Sequence, residues 1–217
     1  MRAVSVALAL ALCGCAASSG EPANGFIDAH IADAYIPLHR DLVPFGHEVG
    51  AAVVIAHEAN TTIAVTNAHN YAMIDPSSYF FRFPGKDLIF FYANRGTPAP
   101  LAHAYAGERV RAYGQGVDDE LRDAEGTVLR VDAKIRPTRE CKGCPEQLAI
   151  VFDAPAGPGF SGGPVVDAKT GALVGITFAY ETDGDKLVMF AYDVNMIVHT
   201  LDVMLAPVPP PVTPWKP

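Results

Sequence analysis

The sequence predicts an all-β fold, a barrel or sandwich closed by one helix, and three observations carry that expectation. Short apolar or alternating runs of strand length recur through residues 50–192 with turn residues between them, and many are rich in β-branched or aromatic side chains. Of the 217 residues, 50% are apolar and only 18% charged, with 19 glycines and 18 prolines to turn the chain, which excludes disorder, a collagen-like repeat and a long coiled coil. The strongest helical periodicity stands at the end of this stretch, and all-β folds of about 200 to 250 residues commonly behave as one unit.

Taken in order, residues 28–38 carry a weak helical pattern. Strands are then expected at 50–56 (GAAVVIA), 62–68, 88–92, 110–113, 127–135, 148–152, 164–166, 172–179 and 187–192. Asp193 has the acceptor side chain of a helix cap, and apolar residues repeat at three and four from 194 to 205, so a closing helix is expected there. No internal repeat of fixed period is present. A net charge of −8 and a pI near 5.3 leave no cluster of Lys and Arg for phosphates, so nucleic acid is not an expected partner.

The ends read differently from the middle. Arg2, an apolar run over 3–12 and small residues beyond it read as an export signal, and a run of about ten residues is too short to cross a bilayer, which takes about 20. Leu12-Cys13-Gly14-Cys15 resembles the lipobox of bacterial lipoproteins, which makes Cys15 the expected lipidated N-terminus and residues 1–14 the signal; the alternative is an ordinary signal cut near Ala16 or Ala17. Residues 15–45 form a tether and N-terminal segment, and 206–217 (APVPPPVTPWKP) a polyproline-type tail without internal hydrogen bonds. With Cys13 removed and Cys15 acylated, Cys141 and Cys144 remain as a pair. In an exported chain a local disulfide is expected, since no second CxxC completes a zinc site and no βαβ pattern supports a thioredoxin motif. No cofactor or metal is called for.

Three segments carry chemistry. In Gly157-Pro158-Gly159-Phe160-Ser161-Gly162-Gly163-Pro164 a serine lies among glycines just before a strand, where its oxygen can be exposed on a sharp turn and backbone N–H groups can approach an oxyanion. In Val65-Thr66-Asn67-Ala68-His69 an apolar run delivers a histidine 92 residues ahead of that serine. In residues 85–90 (GKDLIF) a carboxylate, Asp87, immediately precedes an apolar strand, with Asp75 as its competitor in the loop after His69.

VTNAH, DLIFF and GFSGGPV resemble, in that order, the histidine, aspartate and serine motifs of trypsin-like serine peptidases, closest in flavour to bacterial periplasmic members. The likeness extends through GALVGI (171–176) and FAY (190–192) and covers residues 49–205. It implies two six-stranded antiparallel β-barrels and a C-terminal helix, with His69 and Asp87 in a first barrel (46–115), Ser161 in a second (116–205), and a protein or peptide substrate between them. It implies Ser161 as nucleophile, His69 as base, Asp87 as its orienter, and the N–H groups of Gly159 and Ser161 as an oxyanion hole. The walls of the primary specificity pocket then fall at Pro155, Ala156, Phe178, Tyr180 and Phe190; with no carboxylate among them, cleavage after small or medium aliphatic residues is expected rather than after Lys or Arg. Two departures stand out: His69 and Asp87 are only 18 residues apart, and Phe160 stands where many members carry Asp or Asn. No appended peptide-binding module is expected after the helix.

The expectation is a serine endopeptidase, exported and anchored at the bacterial cell envelope through Cys15, or secreted. The alternatives are a binding or scaffold protein that keeps the fold without turnover, and a redox or metal protein built on Cys141 and Cys144.

Overall fold

The computed structural model describes residues 21–22, 27–42, 46–78, 80–116, 118, 120–136, 145–183 and 186–206. Cys13, Cys15, Cys141 and Cys144 lie outside them, and so do the predicted signal and most of the Pro-rich tail. In chain order the elements are β1 (Glu21–Pro22), α1 (Ala29–Ala32), β2 (Tyr35–Asp41), β3 (His47–Glu58), β4 (Thr61–Thr66), a 3-10 turn (Ala68–Met73), β5 (Phe80–Arg82), β6 (Ile89–Tyr92), β7 (Arg109–Gln115), β8 (Leu121–Ile135), β9 (Gln147–Asp153), β10 (Pro164–Asp167), β11 (Leu173–Asp183), β12 (Lys186–Asp193) and α2 (Val194–Leu205). Each of the nine expected runs overlaps a strand.

Six strands close into an antiparallel barrel in the order β8-β7-β10-β11-β12-β9, returning to β8, with β1 added at one side. The long strand β8 makes closure possible: residues 121–127 pair with β7 and residues 127–135 with β9, so Thr127 faces Arg109 on one side and Asp153 on the other. Gly126 sits at this corner, where any Cβ would overlap the Asp153 carbonyl. Further along, two register shifts in β8 bend it away from β7, the usual work of a bulge. The interior holds Val110, Ala112, Val128, Phe152, Phe160, Val165 and Met189, all buried.

The first half departs from expectation. Instead of a six-stranded barrel, the described residues form one five-stranded antiparallel sheet, β2-β3-β4-β6-β5, that does not close. The 18-residue spacing between His69 and Asp87 accommodates only the three-residue β5 and a tight turn before β6, so the chain lacks the length for another full strand there. The weak helix expected over 28–38 is also corrected. Asp28 caps a single turn by accepting from His30 N at 2.9 Å, and from Tyr35 the chain extends as β2, paired with β3 from Tyr35↔Val53 to Asp41↔His47.

The sheet, the outer face of the barrel and α2 share one continuous core, from Ile31, Val53 and Phe90 to Ile176, Tyr192 and Leu201. Helix α2 forms as predicted: Asp193 accepts from Asn195 N at 2.7 Å, and Val194, Ile197, Thr200 and Leu201 lie on its buried face. Ser161 meets the first sheet directly, its carbonyl accepting from Ala51 N at 2.9 Å.

Candidate active site

The histidine arrives where β4 ends. Thr66 closes that strand, Asn67 is extended, and the 3-10 turn that follows carries His69 with its side chain 28% exposed. Asp87 arrives from the turn between β5 and β6 and is 1% exposed. A buried carboxylate is costly unless its oxygens are occupied, and both are. Oδ1 accepts from the backbone N of His69 at 3.0 Å, and Oδ2 accepts from His69 Nδ1–H at 2.7 Å. Because the carboxylate faces Nδ1 as an acceptor, Nδ1 is the nitrogen that donates to it, and in the neutral imidazole the lone pair is then on Nε2.

The backbone of Asp87 is held as firmly. Its N–H donates to Tyr192 Oη at 3.3 Å, from barrel strand β12, and its carbonyl accepts from Asn67 Nδ2 at 3.3 Å. Asp75 lies elsewhere. It is exposed and bonded to Ser77, whose backbone N–H and hydroxyl, in that order, hold its carboxyl below the usual aspartate range.

The serine loop is shaped by its two odd residues, Pro158 and Phe160. Phe160 N donates to the Gly157 carbonyl at 3.2 Å and Gly159 has φ +92°, the bond and the positive third residue of a type II turn with proline second. Only glycine takes that φ without strain, and here a Cβ would also overlap the Gln115 carbonyl. Gln115 N donates to the Gly159 carbonyl at 2.9 Å, and Gly162 N donates to the Thr177 carbonyl at 2.8 Å, pinning the loop on both sides of Ser161.

Between these pins the Phe160 ring descends into the closed barrel with no exposed surface. Gly114 on β7 makes room for it, since a Cβ there would come within 2.7 Å of Phe160 Cγ. The loop is thus anchored by apolar burial, about 1.5 to 3 kcal/mol for a side chain of this size, where an Asp or Asn would need polar partners.

The structure brings His69 and Asp87 into contact and ties the Ser161 backbone to the strand beside them. Among the described residues no hydrogen bond joins the Ser161 hydroxyl to His69. The five residues expected around a specificity pocket differ in their surroundings. Phe178 and Phe190 are buried with ring centroids 6.3 Å apart, and Phe178 stacks on Tyr192 at 4.2 Å. Ala156 packs inside the barrel. Pro155 lines a separate cavity of about 440 Å3 beside Arg109, Glu125, Asp153 and Lys186. Tyr180 is 40% exposed. Sequence reasoning missed Thr66, Asn70 and Tyr192, whose polar atoms reach the site's backbone. Asn70 follows the histidine directly and could have been suspected on position alone. Among the described residues, no group of His, Cys, Asp and Glu is placed to hold a metal, and no helix is long and apolar enough to cross a membrane.

Residues 80–176 match the family model described as a trypsin-like peptidase domain, a span that takes in Asp87 and Ser161 and begins after His69. No curated protein matches the chain in sequence. Among solved structures, the fold is similar to the MamO protease domain from Magnetospirillum magneticum (TM-score 0.58, 19% identity, 80% of this chain and 98% of that one). It is similar also to the Rv3671c protease from M. tuberculosis in its active form (TM-score 0.63, 17% identity, 82% and 83%). A third similar structure is the HtrA-type protease AlgW with a decapeptide (TM-score 0.56, 19% identity, 79% and 62%). With one closed barrel, a second antiparallel sheet and a short C-terminal helix, the chain has a trypsin-like fold, and its residues 80–176 are similar to a trypsin-like peptidase domain.

Proposed function

We propose that the chain is a serine endopeptidase that hydrolyses peptide bonds through Ser161, His69 and Asp87. The observation that carries this is the buried Asp87 carboxylate accepting from both the backbone N and Nδ1 of His69, which leaves Nε2 free as a base. In the reaction, Nε2 takes the Ser161 proton as Oγ attacks the scissile carbonyl, and the imidazolium that forms is stabilised by Asp87. Nε2 then returns the proton to the leaving amine, and a water molecule releases the acyl group by the same steps in reverse. The N–H groups of Gly159 and Ser161, on a loop pinned at Gln115 and Thr177, receive the oxyanion; losing one such donor costs about 2.7 to 4 kcal/mol.

The test is reaction with a fluorophosphonate followed by peptide mapping. An adduct on Ser161 that is lost in His69→Ala supports the proposal, and labelling at another serine, or none on folded protein, rejects it. The rejecting result would favour a peptide-binding protein of the same fold. That second reading draws on one feature: the described contacts of Ser161 run through its carbonyl rather than its hydroxyl.

The substrate is a peptide or protein with a small or medium aliphatic residue, such as Ala or Val, before the cut. Phe178 follows Thr177, whose carbonyl holds Gly162, and the stack of Phe178 on Tyr192 with Phe190 beside it puts apolar aromatic bulk behind that strand. A single methylene changes binding in an apolar pocket by about 1 to 3 kcal/mol, so the expected preference is graded. A peptide-library profile dominated by Lys, Arg or Glu would contradict it.

We place the enzyme outside the bacterial cytoplasmic membrane, with lipid on Cys15 and a disulfide between Cys141 and Cys144. Intact mass and peptide mapping of protein extracted from its native host check both. The expected products are an acylated N-terminal Cys15 and one linked peptide pair; a form beginning at Ala16 or free thiols at 141 and 144 would refute the respective half.

A further inference from the structure

Asn70 is 2% exposed, and its side-chain nitrogen bonds two atoms that belong to different parts of the fold. Nδ2 donates to the Ser161 carbonyl at 2.9 Å and to Thr66 Oγ1 at 3.0 Å. Thr66 Oγ1–H in turn donates to the Ala51 carbonyl at 2.6 Å, and Ala51 N donates to the same Ser161 carbonyl at 2.9 Å. The four residues form a closed ring of hydrogen bonds: Asn70 to Ser161, Ser161 to Ala51, Ala51 to Thr66, Thr66 to Asn70. The orientation of the amide is determined by chemistry, because a carbonyl oxygen can only accept, so the atom facing Ser161 must be the nitrogen. Both N–H bonds of that nitrogen are then in use.

The ring is packed without slack. A Cβ on Gly50 would come within 2.9 Å of Asn70 Nδ2, and a Cβ on Gly162 would overlap Thr66 Oγ1 and the Ala51 carbonyl. Gly162 has φ +77°, so glycine is required there twice over. Two neighbouring residues of one 3-10 turn therefore serve different partners: His69 binds Asp87 within the first half of the chain, while Asn70 grips the backbone of Ser161 in the second.

We propose that Asn70 is a positioning residue that sets the distance and angle between the Ser161 nucleophile and the His69 base by strapping the serine backbone to the turn that carries the histidine. This rests on the catalytic reading of His69 and Ser161. A displacement of about 1 Å in such a pair can cost about 100-fold in rate, because proton transfer and attack both need near-contact geometry. Substrate binding does not depend on that distance in the same way, so the effect belongs in kcat rather than KM.

The experiment compares wild type, Asn70→Ala, and the double variant Gly50→Ala/Asn70→Ala, in which the new methyl group at 50 enters space vacated by the amide. The double variant keeps volume while removing the N–H donors, so loss of packing is separated from loss of the strap. Competent sites are counted by fluorophosphonate titration, and kcat per titrated site and KM are measured on a peptide substrate. Expected is a fall of about 100-fold in kcat per site in both variants, with KM within about twofold of wild type. A purely structural role would lower the number of titratable sites and leave kcat per site unchanged; that result, or a double variant with wild-type kcat, overturns the proposal. Failure of wild-type protein to label at Ser161 is a different outcome: it removes the catalytic reading and the strap's role with it.

Discussion

Replacing Ser161 with alanine is expected to lower turnover of a peptide substrate about a millionfold, the scale on which losing the nucleophile of such a triad is felt. The fold should not register the change. Ser161 makes its described contacts through its backbone, the carbonyl accepting from Ala51 N and Asn70 Nδ2, and alanine keeps that carbonyl. Melting temperature and far-UV circular dichroism of Ser161→Ala should therefore match wild type while activity and fluorophosphonate labelling vanish. Wild-type turnover in a folded Ser161→Ala protein would mean that the chemistry lies at another residue.

Asp87→Asn carries the second largest expected effect, a fall of about 10 000-fold in kcat. The substitution preserves shape, and its oxygen can still accept from His69 N, so the 3-10 turn keeps one of its two attachments. The amide nitrogen, however, would face Nδ1 as a donor. The imidazole must then put its own proton on Nε2 to accept that bond, and a protonated Nε2 cannot take a proton from Ser161. Asp75→Asn is the internal control, since the exposed Asp75 carboxylate bonds the nearby Ser77. Damage from Asp75→Asn with a silent Asp87→Asn would show that the imidazole is oriented by a different carboxylate in solution.

Much of this arrangement was legible because strands and loops announce themselves locally. The runs GAAVVIA and LVMFAY needed no partner to be read as strands, and Asp193 ahead of a 3-4 repeat located α2. β2 was not legible in the same way. Ile31, Tyr35 and Leu38 recur at helical spacing, yet Pro37 sits inside that span, removing a donor and disfavouring a helix interior. What decides the matter is pairing with β3, a non-local interaction, and proline is tolerated because β2 lies at the edge of its sheet. β5 escaped notice because three residues carry too little pattern. That the described residues of the first half form five strands fits a length that was visible, the 18 residues from His69 to Asp87, whose topological consequence was not.

At the site, residue types with distinctive chemistry were found in sequence and residues acting through ordinary amides and hydroxyls were not. Asn70, Thr66 and Tyr192 are common residues whose significance comes only from what lies opposite them across the fold. The directions of rings are equally invisible in sequence: Phe178 packs beside Phe190 and stacks on Tyr192, which no local pattern encodes.

Phe160 bears on how the loop behaves in acid. A carboxylate in its position would hold the serine loop by charge and would let go as that charge was neutralised. A benzyl group in a closed barrel binds no proton, so its grip is the same in neutral and acidic surroundings. The loop's own attachment is thus removed from the proton balance of the molecule.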